Sequence, residues 1–310
     1  MRENNIKVVA TSSYLPASEL TNEDLEKLVD TSDEWIQSRT GIKKRRIAKD
    51  ETVLDLAYRA AKLAIKKIKY DVRKIDLIIC ATISSEHIMP SVASSLQGKL
   101  KLNDQEITCF DLNAACTGFI YALNVATQML NSGNYKSALI VGAEKLSNVV
   151  DYTDRNTCVL FGDGAGAMII ENSNNNPAYF YTSSSGDLQN YLYLKDKIKL
   201  NGPKVYEFAI TIIPHTIKTL LKNTKTSIDD IDMIIPHQAN YRIINAAANS
   251  LNISNDKFYV NIRNYGNTSA ASVIIALDEY LNQKPRKENQ KIMLIAFGGG
   301  FTWGGAILSI

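Results

Sequence analysis

Along the 310 residues, apolar positions fall into two alternating patterns, short unbroken runs and longer segments with helical spacing. Residues 5–15 predict a strand that stops at Pro16. Thr21, followed by Glu23 and Asp24, predicts a capped helix over 21–29, since a hydroxyl and first-turn acids satisfy the free N–H groups of a helix start. Residues 31–41 are polar and are expected to form a loop leading into the basic cluster Lys43, Lys44, Arg45 and Arg46. That cluster reads by default as a solvated loop, with a phosphate site as the functional alternative. Helical spacing returns over 52–69, and residues 75–82 form a continuous apolar run of the kind found in parallel strands covered on both faces.

A short β-prone run over 107–110 leads into a stretch with no charged residue from Leu112 to Tyr135. Apolar side chains at Phe119, Ile120, Leu123, Val125, Ala126, Met129 and Leu130 cover most of a helical circumference, so this helix belongs inside a core. Asn113, Asn124, Gln128 and Asn131 interrupt it, and a membrane span needs about 20 mostly apolar residues. Another buried strand follows at 137–144. Residues 162–167 form a glycine-rich turn into a further strand, and their spacing suits close backbone packing rather than dinucleotide binding.

The second half repeats the first. Ile75-Asp76-Leu77-Ile78-Ile79 answers to Ile231-Asp232-Met233-Ile234-Ile235, an offset of 231 − 75 = 156. The small residues before the helix at Cys116 have a counterpart in residues 266–272, and 164–170 is echoed by 304–310. Two halves of one α/β unit are therefore expected, at 1–172 and 173–310, joined through the polar, loop-like 172–177. Alternating strands and helices imply parallel sheets covered by helices on both faces.

Composition adds mainly exclusions. At 45% hydrophobic the chain can bury a large core, and a formal charge of +3 gives no argument for nucleic acid or an anionic membrane as a partner. Cys80, Cys109, Cys116 and Cys158 are scattered without zinc-binding spacing, so no metal is expected and the thiols read as reduced, in a cytoplasmic protein. Residues 1–6 lack the apolar region of a secretory signal.

The chemistry centres on Cys116, at a strand-to-helix junction among Ala114, Ala115 and Gly118. Free N–H groups and the positive end of the helix dipole favour a thiolate there, and small neighbours admit a carbonyl to the sulfur. A buried cysteine is more often a small core hydrophobe. Partners tip the balance: residues 236–240, 265–268 and 298–300 also fall at the carboxyl ends of expected strands, where open α/β sheets bind ligands. His87 and His215 read as structural, whereas His237 directly follows a buried strand.

With these motifs in hand the chain resembles the β-ketoacyl-acyl-carrier-protein synthase III family, thiolase-fold condensing enzymes that start fatty-acid synthesis. The resemblance is carried in order by residues 31–36, Arg39-Thr40-Gly41-Ile42, Ala114-Ala115-Cys116-x-Gly118-Phe119, residues 161–166, Pro236-His237-Gln238-Ala239-Asn240, residues 266–272 and residues 297–304. It implies a five-layered αβαβα fold and a homodimer. It makes Cys116 the acyl acceptor, His237 and Asn267 the donors that stabilise the malonyl enolate, and the backbone N–H groups of Cys116 and Gly299 a second oxyanion hole. The resemblance further implies that Trp35 and Arg155 sandwich the adenine of coenzyme A, that Arg39 lies near its phosphates, and that Asn240 contributes to the same site. Arg242 is what remains of a carrier-protein docking patch, with Lys204 a substitute. Glu207 and Asn249-Ser250 stand where basic residues are usual, and the segment between Asp187 and Val205 is short. Met89 occupies the place of a phenylalanine that closes the acyl pocket across the dimer.

The implied reaction transfers an acyl group, acetyl in the first instance, from acyl-CoA to the cysteine. Decarboxylative condensation with malonyl-acyl-carrier-protein follows, with no cofactor beyond the thioester substrate. A biosynthetic thiolase would need a second catalytic cysteine near the C-terminus, and the last cysteine is Cys158. A relative serving a specialised pathway with another donor remains an alternative, as does a non-catalytic thiolase-fold partner. The latter would have lost Cys116, His237 or Asn267, and all three are present.

Overall fold

A computed structural model describes residues 3–283 and 289–310. Among the described residues, one path of hydrogen-bonded strands runs Met233–Pro236, Lys291–Gly298, Thr302–Ser309, Gly164–Ser184, Ser137–Glu144, Leu77–Ala81, Thr108–Leu112. Asn4–Tyr14 pairs antiparallel with Gly164–Ser184. The expected parallel sheets are in fact mixed. Leu77–Ala81 runs parallel to both its neighbours and Met233–Pro236 parallel to Lys291–Gly298, while the other pairings along this path are antiparallel.

Side-chain parity along the strands sets the layers, because successive residues point to opposite faces. Leu77, Ile79 and Ala81 share a core with the central helices Gly118–Asn131 and Ala271–Gln283, whereas Ile78 and Cys80 face the outer helices Val53–Lys67 and Val92–Lys99. In the second half Ile292, Leu294 and Ala296 face the same central helices. Met293, Ile295 and Phe297 face Gly202–Thr224 and Tyr241–Leu251. Two helical layers outside, the two ends of this one path of strands, and one helical layer between those ends make αβαβα. Lying between two apolar sheet faces is why the helix after Cys116 needs its apolar circumference.

Three further expectations change. Residues 172–177 are not a loop but part of the continuous 21-residue strand Gly164–Ser184. Ile6 opposes Asn172 and Asn5 opposes Pro177, so residues 173–176 bulge out while the strand carries on to pair with Thr302–Ser309. Ladder pairing on both sides overrides the turn-forming composition. Residues 31–41 hold a helix, Asp33–Thr40, capped by Ser32, which accepts the Trp35 N–H, and closed by Gly41 at φ 80°. Its only buried residues are Ile36 and Thr40, so it shows no apolar stripe, although both caps stand in the sequence. Neither reading of the basic cluster fits Arg45. It is fully buried in the strand Lys44–Arg46, and its guanidinium donates to Leu20 O, Asn22 Oδ1 and Val159 O.

The glycine-rich turn is a close-packing device, as expected. A Cβ on Gly166 would stand 2.5 Å from Ile274 Cγ2, so any larger residue there would force Ile274 on the central helix Ala271–Gln283 to shift.

Candidate active site

The strand Thr108–Leu112 ends in a turn, a 3₁₀ segment Ala115–Thr117 carries Cys116, and the buried helix begins at Gly118. Asn113 Oδ1 accepts the Ala115 N–H at 3.2 Å, and Ala115 sits at φ 47°, a left-handed conformation costly for a residue with a Cβ. The turn is clamped from the other half. Thr302 Oγ1 lies 3.1 Å from the carbonyls of both Ala114 and Gly299 and 3.0 Å from Thr117 Oγ1.

Position at a helix start led to an expected thiolate, and here the structure differs. Cys116 is 7% exposed, and burial pushes its thiol up to about 12, against a lowering by Ser269. Desolvation outweighs the helix end because a buried thiolate loses its hydration. The resting sulfur holds its proton.

His237 follows Met233–Pro236, its N–H donating to Ile295 O at 2.7 Å. Its Nδ1 lies 2.6 Å from Ser272 Oγ, on the helix Ala271–Gln283, and the Phe297 ring stands edge-on to it at 5.5 Å. Burial pushes the imidazole down to about 3, so it is neutral at physiological pH. With Nδ1 committed to Ser272, Nε2 is the nitrogen left for the cavity. Sequence reading missed Ser272 as a partner and Gln238 as a hub. Gln238 donates to Pro236 O and Tyr259 O, accepts from the N–H groups of Asn261 and Ile262, and so holds the loop that carries His237. Both residues lie in quoted motifs, but hydrogen bonds across the fold leave no periodic signal.

Asn267 is fixed by backbone bonds to Leu160 and Gly162, and its Oδ1 accepts the Ser269 N–H at 2.8 Å. That bond orients the amide and leaves its NH₂ as the free donor. Cys116, His237 and Asn267 all line one cavity of about 1640 Å³, together with Gly298, Gly299, Trp35, Arg39, Arg155, Asn240 and Arg242. The cavity therefore runs from exposed Arg39 and Arg155 down to a buried thiol, imidazole and amide. In the glycine turn the positive φ, 130°, belongs to Gly300, and the tight approach to Gly298, whose Cβ would meet Cys116 N at 2.7 Å.

The peripheral residues are partly engaged with one another. The Arg155 guanidinium lies over the Trp35 ring at 4.9 Å and donates to Asp30 O. Asn240 caps the helix Tyr241–Leu251 and donates to Arg39 O at 3.0 Å. Arg242 lies over the Tyr206 ring, and Lys204 pairs with Glu207 at 2.9 Å. Met89 is 85% exposed and does not line the cavity of the single chain, although its neighbour Ile88 does.

A cysteine on a strand-to-helix turn, sharing one cavity with a neutral histidine and an asparagine in a five-layered fold, is the organisation of the thiolase-fold condensing enzymes. Comparison narrows the class. Residues 110–187 match the family described as 3-Oxoacyl-[acyl-carrier-protein (ACP)] synthase III, and residues 221–310 its C-terminal counterpart. The chain is 50% identical to the beta-ketoacyl-[acyl-carrier-protein] synthase III of Acholeplasma laidlawii, with 100% of both chains covered. The solved synthase III of Aquifex aeolicus is 44% identical at a TM-score of 0.95, covering 98% of this chain and 100% of that one. A priming β-ketosynthase of the R1128 polyketide pathway is 28% identical at a TM-score of 0.91, covering 99% of this chain and 97% of the other. The chain belongs to the β-ketoacyl-acyl-carrier-protein synthase III family.

Proposed function

We propose that the protein loads an acyl group, acetyl in the first instance, from acyl-CoA onto Cys116 and condenses it with malonyl-acyl-carrier-protein to initiate fatty-acid synthesis. The observation that carries this reading is the meeting of Cys116 with two oriented neutral donors, His237 and Asn267, in one cavity. In loading, the sulfur attacks the thioester carbonyl while the backbone N–H groups of Cys116 and Gly299 receive the oxyanion. In condensation the malonyl thioester oxygen accepts bonds from His237 Nε2 and the Asn267 amide. Loss of carbon dioxide leaves an enolate that attacks the acyl-cysteine. Neutral donors suit that step, because they stabilise oxyanion charge without delivering a proton to the carbanion.

On this reading Arg155 must leave the Trp35 face for adenine to enter between them, with Arg39 beside the phosphates and Asn240 holding the rim. Arg242 is the docking cation for the carrier protein. Lys204 contributes less, its ammonium already shared with Glu207. Exposure of Ile88 and Met89 supports a homodimer in which Met89 closes the partner's acyl pocket. The bulge at residues 173–176, where the long strand changes partner, supports halves at 1–172 and 173–310. We place the enzyme in the cytoplasm; among the described residues no helix is long and apolar enough to cross a membrane. Likeness to a polyketide priming enzyme and the thin Met89 side chain favour, as a second reading, a specialised role with a longer donor. Intact-mass spectrometry after incubation with a panel of acyl-CoA thioesters tests both. One acyl group should be added, and Cys116→Ser should abolish it; acylation mapped to Cys80 or Cys158 overturns the assignment.

A further inference from the structure

The reaction as described gives the Cys116 proton no destination, since the resting sulfur is a thiol and His237 is committed to the malonyl step. Glu144, the last residue of Ser137–Glu144, is fully buried and has no role in that scheme. Its Oε2 is well supplied, accepting from Thr82 Oγ1, the Ile83 N–H and Ser84 Oγ at 3.3, 3.1 and 2.5 Å. Its Oε1 is buried without a hydrogen-bond partner, and so is the hydroxyl of Ser269. Two orphaned buried polar atoms are each costly, which makes their neighbourhood worth a functional account.

Ser269 stands where the two halves close on each other. A Cβ on Gly142 would meet Ala270 O at 2.8 Å, and one on Gly118 would meet Ala270 Cβ at 3.4 Å. The residue beside Ser269 is thus wedged between the end of the strand that carries Glu144 and the helix that follows Cys116. The Ser269 hydroxyl stabilises the charged form of both Cys116 and Glu144, while holding full hydrogen-bond geometry to neither. Its own backbone is held at φ 47° with its N–H on Asn267, which fixes the direction in which the side chain leaves the backbone.

We propose that Ser269 relays the proton of Cys116 to Oε1 of Glu144 as the sulfur attacks the acyl thioester. The S–H bond breaks as the S–C bond forms; Ser269 Oγ receives that proton and passes its own to Glu144. Coenzyme A leaves as a thiolate and takes a proton from solvent. In condensation Cys116 is expelled as a thiolate, and Glu144 returns the proton through Ser269, restoring thiol and carboxylate. Burial supports the role, raising the Glu144 carboxyl to about 7, near the value suited to a base at neutral pH. The other titratable groups around it do not compete. Cys80 is pushed well up by burial, with Asp111 and then Glu144 adding to the effect. Lys145 points to the carbonyls of Lys49 and Glu51, and Asp111 accepts from the N–H groups of Val92 and Ala93.

The inference rests on Cys116 as acyl acceptor, and the test separates the two. Rapid-quench mass spectrometry of wild-type acetylation by acetyl-CoA should place the acetyl on Cys116, with a rate that rises with pH through about 7. Absence of that acetyl removes the acyl-acceptor assignment and the relay with it. With acetylation present, Glu144→Gln should slow it on the order of 10²-fold and flatten the limb near pH 7. Ser269→Ala should do the same, and the double variant should be no slower than either single. A wild-type rate and limb in folded Glu144→Gln, or slowing in the two variants that multiplies, overturns the relay. Should Glu144→Gln fail to fold, an unchanged limb in Ser269→Ala overturns it alone.

Discussion

Gly298→Ala puts the added methyl against the nucleophile's own backbone. The new Cβ would lie 2.7 Å from Cys116 N and 3.2 Å from both Ala115 Cβ and Cys116 Cβ. Ordinary contact begins near 3.4 Å, so the turn must move by 3.4 − 2.7 = 0.7 Å. It cannot do so freely, because Ala115 already holds φ 47° and Thr302 ties Ala114 to Gly299. A misplacement of about 1 Å costs on the order of 10²-fold where reaction demands a near-attack geometry, so acetylation of Cys116 should slow by roughly 10- to 100-fold. Overpacking should cost about 1–3 kcal/mol of stability as well, which calorimetry will show. Gly186→Ala is the control, since its Cβ meets nothing within 4 Å. Single-turnover acetylation followed by intact mass is the assay. A Gly298→Ala protein that acetylates within twofold of wild type would show that the contact does not position Cys116, and the account of the turn would fall.

His237→Ala and Asn267→Ala should each lose about 10²–10³ in malonyl decarboxylation while still accepting an acetyl group, and loss of acetylation in both would refute the division of roles. The neutral, buried His237 also predicts a stability profile. Unfolded histidine binds a proton near pH 6.5 and the folded one only near 3, so acidification favours unfolding across that window. Denaturation at pH 7.5 and 5.0 should differ by about 2 kcal/mol more in wild type than in His237→Gln, and an equal difference counts against the burial argument. Met89→Phe should raise preference for acetyl over butyryl or isobutyryl about tenfold, ~1.4 kcal/mol, in kcat/KM; unchanged discrimination removes Met89 from the pocket. Light scattering at micromolar concentration should give a dimer mass, and a monomer contradicts the proposed interface.

The apolar runs were legible because a strand covered on both faces can hold nothing else. Ser137–Glu144 starts and ends where its run does, and the charge-free helix declared itself central before either sheet was placed. The 75–79 pattern and its repeat at 231–235 each lead into a parallel strand, Leu77–Ala81 and Met233–Pro236, and Cys116, His237 and Asn267 stood out through local motifs. What stayed hidden depends on neighbours far apart in the chain. The strand through residues 172–177 is a strand because of its partners, and Arg45 is buried because carbonyls 25 and 114 residues away receive it. Above all, the state of Cys116 was decided by the fold. A helix start argues for a thiolate by local electrostatics, but burial between the two halves removes the water a thiolate needs, and burial is a property no sequence window contains.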